Sequence, residues 1–261
     1  MMTELTLQAR YFQDSTPEGV PCREENFQRR EVEVQLPVAQ TALVLVDMWD
    51  RHFIDSWIER AAKITTQFVV PAVAAARQAG IHIIHAPSPP VASQYEQAET
   101  TAAAPSTASV ELDWPPQEFR NRQGDYAAFA GPRQQAPGIG SRWNLIKGDL
   151  GVSPEIAVAA EDTVVETGAQ MHRVLARRGI LHLIFAGFAA NWCLMGRDYG
   201  IRAMSRYGYY ILVLRDCTAG VEFPDTLENS LVTEMTIREI EQQYGFSVGN
   251  EAFLTGCKRG G

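Results

Sequence analysis

Short, nearly continuous apolar runs alternate along this chain with longer stretches of helical spacing, and that alternation restricts the fold more than any other feature. "TALVLVDM", which begins at residue 41, is apolar at consecutive positions rather than at every second one, and so reads as a parallel strand buried on both faces. "SWIERAAKITTQFVVPAVAAARQAG" follows with helical spacing; Pro71 marks where a second helical piece begins, and Gly80 marks its stop. "IHIIHAP", "EDTVVE", "GILHLIFAGF" and "YYILVLRDC" read as further strands and "FSVGN" as a last one. The helical patterns among them are "GAQMHRVLARRG", "NWCLMGRDYGIRAMSRYG" and "TLENSLVTEMTIREIEQQYG". Strands alternating with helices of this length specify an α/β fold, a doubly wound, Rossmann-like, mostly parallel sheet with helices on both faces.

A chain of 261 residues can bury a large core in one domain. Residues 1–40 are polar with scattered apolar positions and are expected to form an N-terminal arm, lying on the domain or on a neighbouring subunit. Residues 41–255 make up the domain itself. Within it, residues 88–145 are rich in Pro, Ala, Gln, Ser and Thr and read as an insertion or lid near the carboxyl ends of the strands. A net charge of −8 with no basic block argues against nucleic acid or an anionic membrane surface as partner, and for a small-molecule substrate. Cys22, Cys193, Cys217 and Cys257 are widely spaced with no CxxC pair, which fits reduced thiols. With no signal-like N-terminus and no apolar stretch of membrane-spanning length, the expected location is cytoplasmic.

In open α/β sheets ligands bind beyond the carboxyl ends of the strands, and Asp47, His85 and Cys193 stand at such ends. Asn191 has the chemistry of a helix N-cap, which would put Cys193 in a first helical turn where free N–H groups and the helix dipole stabilise a thiolate. On that position alone Cys193 reads equally well as a nucleophile and as a small buried hydrophobe. Gly196, Gly200 and Ala203 recur at helical spacing and suggest that this helix packs tightly onto the sheet. Trp49 and Trp192 flank Asp47 and Cys193 and read either as walls of a pocket for a planar substrate or as plain core. Cys217 reads as structural.

"TALVLVDMWDRHF", "GIHIIHAPS" and above all "GILHLIFAGFAANWCLMGRDYGIRAMSRYGYYILVLRDCTAG" resemble the isochorismatase-like cysteine hydrolases, the superfamily that includes nicotinamidases, N-carbamoylsarcosine amidases and ureidoacrylate hydrolases. The resemblance covers roughly residues 41–88 and 155–250. It implies that Cys193 attacks the acyl carbon of a small amide, carbamoyl or related compound, that Asp47 takes the thiol proton, and that a covalent acyl-enzyme is then hydrolysed. It also implies an oxyanion hole made by the backbone N–H groups of Ala189 and Cys193, dependent on a cis peptide bond at Phe188–Ala189, and a homo-oligomer. Trp49, His52, His85 and Trp192 are the substrate-binding candidates. No cofactor is expected; the alternative, a divalent metal as in nicotinamidases, would draw on Asp50, His52 and His85, whose spacing departs from the Asp-x-His pattern of those enzymes.

One departure from the family bears on activity. The family triad includes a lysine shortly after a strand like "DTVV", and here Thr167 stands near that position. The chain's lysines are Lys63 on an early helix, Lys147 between the insertion and the next strand, and Lys258 in the tail. The replacement candidates are Lys147, Arg197 four residues beyond Cys193, and the helix dipole assisted by His52 or His85. Lys147 is favoured, because its loop follows the insertion and leads into the strand preceding the family's lysine position; Arg197 is expected to point along its helix into an ion pair. With no replacement, the alternative is a degenerate family member that binds a small molecule or serves as a partner subunit.

Overall fold

The computed structural model describes residues 3–99, 115–129 and 139–258. Much of the expected lid, residues 100–114 and 130–138, therefore lies outside the described residues. The strands are β1 (Glu4–Gln13), β2 (Gln28–Pro37), β3 (Thr41–Val46), β4 (His82–Ala86), β5 (Thr163–Val164), β6 (His182–Phe188), β7 (Tyr210–Ala219) and β8 (Gly245–Val248). They form one eight-stranded sheet in the order β2-β1-β8-β7-β6-β3-β4-β5. From β3 to β8 every pairing is parallel, while β1 runs antiparallel to both β2 and β8. Residues 4–37 are thus not a separate arm but a hairpin that extends the sheet. Leu5, Leu7 and Ala9 alternate into the core from β1, and Val34 and Leu36 do so from β2.

The helices are α1 (Asp55–Ile64), α2 (Val70–Ala79), α3 (Pro89–Ala92), α4 (Gln117–Arg120), α5 (Ile139–Asn144), α6 (Gly168–Arg178), α7 (Ile201–Arg206), α8 (Leu231–Gln243) and α9 (Asn250–Lys258). Pro71 sits at the start of α2, and Gly80, at φ +82°, closes it in the left-handed conformation that glycine adopts without strain. β3 explains why consecutive apolar residues were needed. Leu43 and Leu45 face the cluster beneath α1, α2 and α9, whereas Ala42, Val44 and Val46 face the one beneath α6, α7 and α8. Among the described residues no helix is long and apolar enough to cross a membrane.

The chain leaves β3 outward through β4 and β5, then returns to the other side of β3 to lay down β6, β7 and β8. The strand order therefore reverses between β3 and β6, and the crevice beyond their carboxyl ends is where an open α/β sheet accepts a ligand. Asp47 follows β3 and Cys193 lies just beyond β6.

Candidate active site

The ends of β3 and β6 are brought together by a glycine. Gly187 pairs with Val46 across the two strands and has φ +118°; a Cβ there would lie 2.1 Å from the Val46 carbonyl oxygen. Only glycine permits that approach. Beyond it the Phe188–Ala189 peptide bond is cis, at the position the resemblance implied. On the neighbouring strand Asp47 adopts φ +43°, a left-handed conformation that Asp tolerates better than most residues, and its side chain is buried.

The segment after β6 departs from the expected continuous helix. Ala190–Leu194 forms a single wide turn in which the Leu194 N–H reaches back to the Ala189 carbonyl. The helical path then breaks over residues 197–200 before α7 begins. Asn191 is not its cap: its side chain accepts a hydrogen bond from the Val221 N–H at 2.9 Å. Of the three small residues, Ala203 packs against the core from α7, but the two glycines do not serve that end. Gly196 has open space around it, while a Cβ at Gly200 would meet the Leu194 carbonyl at 2.7 Å, because the chain doubles back on itself there. Asp198 pins the break from the other side by accepting the Gly168 N–H at 2.8 Å. The missing Cβ of Gly168 would lie 2.0 Å from the Asp198 carbonyl oxygen, so the start of α6 abuts the break.

This break turns Arg197 back toward β3. Its Nε and Nη2 both donate to Asp47 Oδ2, each at 3.3 Å, and the cation beside Asp47 is therefore Arg197 rather than Lys147. Lys147 is exposed and lines the rim of the same cavity. Thr167, near the family's lysine position, serves the helix instead. Its side chain accepts the Gln170 N–H, and Gln170 reciprocates in a capping box at the start of α6.

Burial raises the Asp47 pKa despite Arg197, which acts to lower it. Burial, then the adjacent Asp47 charge, pushes the Cys193 thiol up to about 12, against a smaller opposing pull from Arg197. The expectation of a thiolate held by a helix N-terminus is thereby reversed. A five-residue wide turn supplies little dipole, and a buried carboxylate beside the sulfur acts with the opposite sign. The site therefore holds a protonated thiol at neutral pH, next to the paired Asp47 and Arg197 side chains.

Cys193 and Arg197 line a cavity of about 630 Å³ whose walls include Trp49, His52, Trp57, Trp143, Trp192 and Leu150. Trp49 meets Trp143 edge-on at 5.1 Å, and His52 stacks on Phe53 at 4.3 Å. The His52 Nδ1 accepts the Ile54 N–H, which assigns the proton to Nε2. Burial lowers its pKa to about 4, so the ring is neutral. Trp57 and Trp143 were not singled out from the sequence. A tryptophan on the amphipathic α1 and one on the short α5 carry no local mark of a shared cavity.

His85 is not brought to this cavity. It is buried along β4 with Nε2 2.9 Å from Asp162 Oδ2, and Asp162 also pairs with Arg77. Asp50 accepts the Gly151 N–H and pairs with Arg51. With the His52 Nδ1 also occupied, Asp50, His52 and His85 do not fit a metal centre. Among the described residues no group of three or more His, Cys, Asp or Glu side chains is placed to hold an ion.

The family model for the Isochorismatase domain matches residues 41–235. No curated protein sequence matches the chain. Among solved structures, a cysteine hydrolase from Pseudomonas syringae pv. phaseolicola 1448A superposes with a TM-score of 0.52 at 14% identity, covering 87% of this chain and 96% of that one. At that identity the likeness is one of fold. N-carbamoylsarcosine amidase from Thermoplasma acidophilum gives a TM-score of 0.41 at 16% identity over 80% of this chain and 95% of its own. Pyrazinamidase of Pyrococcus horikoshii, solved in complex with zinc, gives 0.42 at 16% identity over 76% and 96%.

Proposed function

This chain belongs to the isochorismatase family, and from that premise we propose that it is a cysteine hydrolase cleaving a C–N bond in a small amide or carbamoyl compound. The observation that carries the reading is the pairing of Arg197 with Asp47 beside Cys193, at the cavity where β3 and β6 end.

Asp47 takes the thiol proton as Sγ forms its bond to the substrate's carbonyl carbon. The resulting oxyanion is held by the backbone N–H groups of Ala189 and Cys193. The C–N bond then breaks, the proton passes from Asp47 to the leaving nitrogen, and a thioester remains on Cys193. Water adds to the thioester, giving its proton to Asp47, and the acid is released as the thiol re-forms. A thiol with a pKa of about 12 loses its proton only as the new bond forms, which makes Asp47 the proton carrier throughout. Arg197 takes over the charge role expected of Lys147. Unlike a lysine, its guanidinium stays protonated through the cycle, so it stabilises Asp47 and the developing charge without moving protons itself. The aromatic walls suit a planar, conjugated acyl group, with Trp49, His52 and Trp192 in contact with it.

The test is a panel of small primary amides and carbamoyl compounds, followed by mass spectrometry of the quenched protein. An acyl adduct on Cys193 is expected, with both adduct and turnover lost in Cys193→Ala. Turnover that survives in Cys193→Ala would overturn the reading.

A further inference from the structure

Lys147 is left without a role by the pairing of Asp47 with Arg197, yet the fold holds it at the mouth of the same cavity. The segment that carries it is pinned on both sides. Before it, Trp143 meets Trp49, His52 and Phe53 edge-on, at ring separations of 5.1, 5.3 and 5.1 Å. After it, Leu150 is buried in a cluster with Trp49 and Val91, and its carbonyl accepts the Gln94 side-chain N–H at 3.2 Å. Lys147 sits one turn beyond Trp143, its N–H bonded to the Trp143 carbonyl. The charges around it are unequally committed. Arg197 has its guanidinium on Asp47, and Asp149, the acid nearest to Lys147 in sequence, lies 3.8 Å from Arg51. Among the described residues Lys147 has no ion pair, and no Asp or Glu side chain lines the cavity. In a chain with 31 acidic residues against 23 lysines and arginines, a cavity walled by two cations and no acid runs against the overall balance. Two further donors in the walls, the indole N–H groups of Trp49 and Trp57, are buried without a hydrogen-bond partner.

We infer that Lys147 is a specificity-determining residue: the cavity takes an amide whose planar acyl group carries a second, ionised carboxylate, and the Lys147 ammonium pairs with that carboxylate at the mouth. The inference rests on the reading of this cavity as the substrate site of Cys193. The two ends of such a molecule meet different surroundings. The amide end meets Cys193, beside which Gly196 leaves open space. The planar body lies against the indoles, and the carboxylate stays at the mouth, where Lys147 and Trp192 are exposed. Keeping the anion there avoids the cost of burying it, and the flexible lysine stem lets the ammonium follow it. Arg197 does not compete, because its charge is already taken by a buried carboxylate. A neutral amide forgoes the ion pair, and a cationic one is repelled by walls that offer no acid to receive it.

The experiment measures binding by calorimetry to the full chain carrying Cys193→Ala, so that affinity is read without chemistry. The probes share one ring: 4-carbamoylbenzoate is the anion, benzamide the neutral amide and 4-(aminomethyl)benzamide the cation. The anion should bind about fivefold more tightly than benzamide at low salt, the scale of a solvent-exposed ion pair. That preference should shrink at about 1 M ionic strength, where charges are screened within about 3 Å. Adding Lys147→Ala should bring the ratio of the two affinities close to one, and Lys147→Glu should invert the order in favour of the cation. Lys147→Arg keeps the charge and should keep the preference. Equal affinity for anion and neutral amide, a preference that survives Lys147→Ala, or failure of all three probes to bind overturns the inference. Turnover surviving in Cys193→Ala would appear as continuing heat after each injection. It would count against the cysteine mechanism and is distinct from a lost preference for the anion.

Discussion

Arg197 and Asp47, 150 positions apart in sequence, meet through two hydrogen bonds to one carboxylate oxygen, and the break in the chain after Cys193 is what makes the meeting geometrically available. Had the helix run on from Cys193 through Ala203, the Arg197 side chain would have followed the helix surface. Because Gly200 lets the chain fold against the carbonyls of Cys193 and Leu194, and Asp198 anchors on Gly168, the guanidinium swings under the cavity instead. The segment that carries Cys193 thus brings a cation to Asp47 by itself.

Replacing that cation should expose its role. Arg197→Met is expected to lower kcat by at least ~10²-fold, the scale seen when a preorganised electrostatic partner is removed. Arg197→Lys restores the charge without the fork, and should recover part of the loss. Steady-state kinetics on a substrate from the amide panel would decide it, and wild-type turnover in Arg197→Met would remove the residue from the site's chemistry.

Asp47→Asn should separate reactivity from catalysis. The Asp47 charge is one of the causes that hold the Cys193 thiol up at about 12, while Arg197 pulls the other way. With Asn in its place burial still raises the thiol, but of the two charges only the cation remains. The thiol should therefore titrate lower and react faster with iodoacetamide at neutral pH, while hydrolysis falls by at least ~10²-fold for want of the proton acceptor. In the unaltered protein the exposed Cys22 is expected to be alkylated before Cys193. Cys193 alkylation that slows in Asp47→Asn would contradict this account.

The pH profile follows from the same groups. Asp47 must be ionised to accept the proton, so activity is present above its folded pKa and is lost as pH falls through it. Burial raises that pKa, which sets the acid limb above the ordinary carboxylate range. His52, lowered by burial to about 4, is neutral across pH 5–8 and contributes no limb there. A kcat/KM profile whose acid limb lies within the ordinary carboxylate range would rule out this assignment.

Much of this was legible in the sequence, and the misses have physical causes. β3 and β6 could be read because both their faces are buried, which leaves apolar residues at consecutive positions. The hairpin of β1 and β2 was passed over although Leu5, Leu7 and Ala9 carry a period of two. The polar residues between them and the charged "QRREVE" of an edge strand dilute that signal. Asp47 and Cys193 could be located because each follows a strand end. The direction in which Arg197 points was hidden. It depends on two glycines, Gly168 and Gly200, whose missing side chains matter only in the folded arrangement. His85 stands at a strand end like Asp47, but no local pattern announces the buried Asp162 that takes it away from the cavity.

Gly187→Ala should be among the most damaging single substitutions in the chain. A Cβ 2.1 Å from the Val46 carbonyl oxygen cannot be relieved by turning a side chain, and the backbone there is at a φ that alanine resists. A loss of about 3 kcal/mol or more in urea unfolding is expected. Unfolding within about 0.5 kcal/mol of the unaltered protein would mean that β3 and β6 do not approach as closely as described.

Thr167 offers the complementary case, a residue near a position that carries a catalytic lysine in related enzymes but here serves the helix. Its side chain accepts the Gln170 N–H at 3.2 Å, and the Gln170 side chain in turn accepts the Thr167 N–H. Both bonds satisfy donors at the start of α6 that would otherwise have no partner. Thr167→Ala should therefore lower stability by about 1 kcal/mol in urea or thermal unfolding while kcat stays within about twofold of the unaltered enzyme. The opposite result, unchanged stability with turnover cut by an order of magnitude or more, would mean that the Thr167 hydroxyl touches the reacting groups and that the charge supplied by Arg197 is not sufficient by itself.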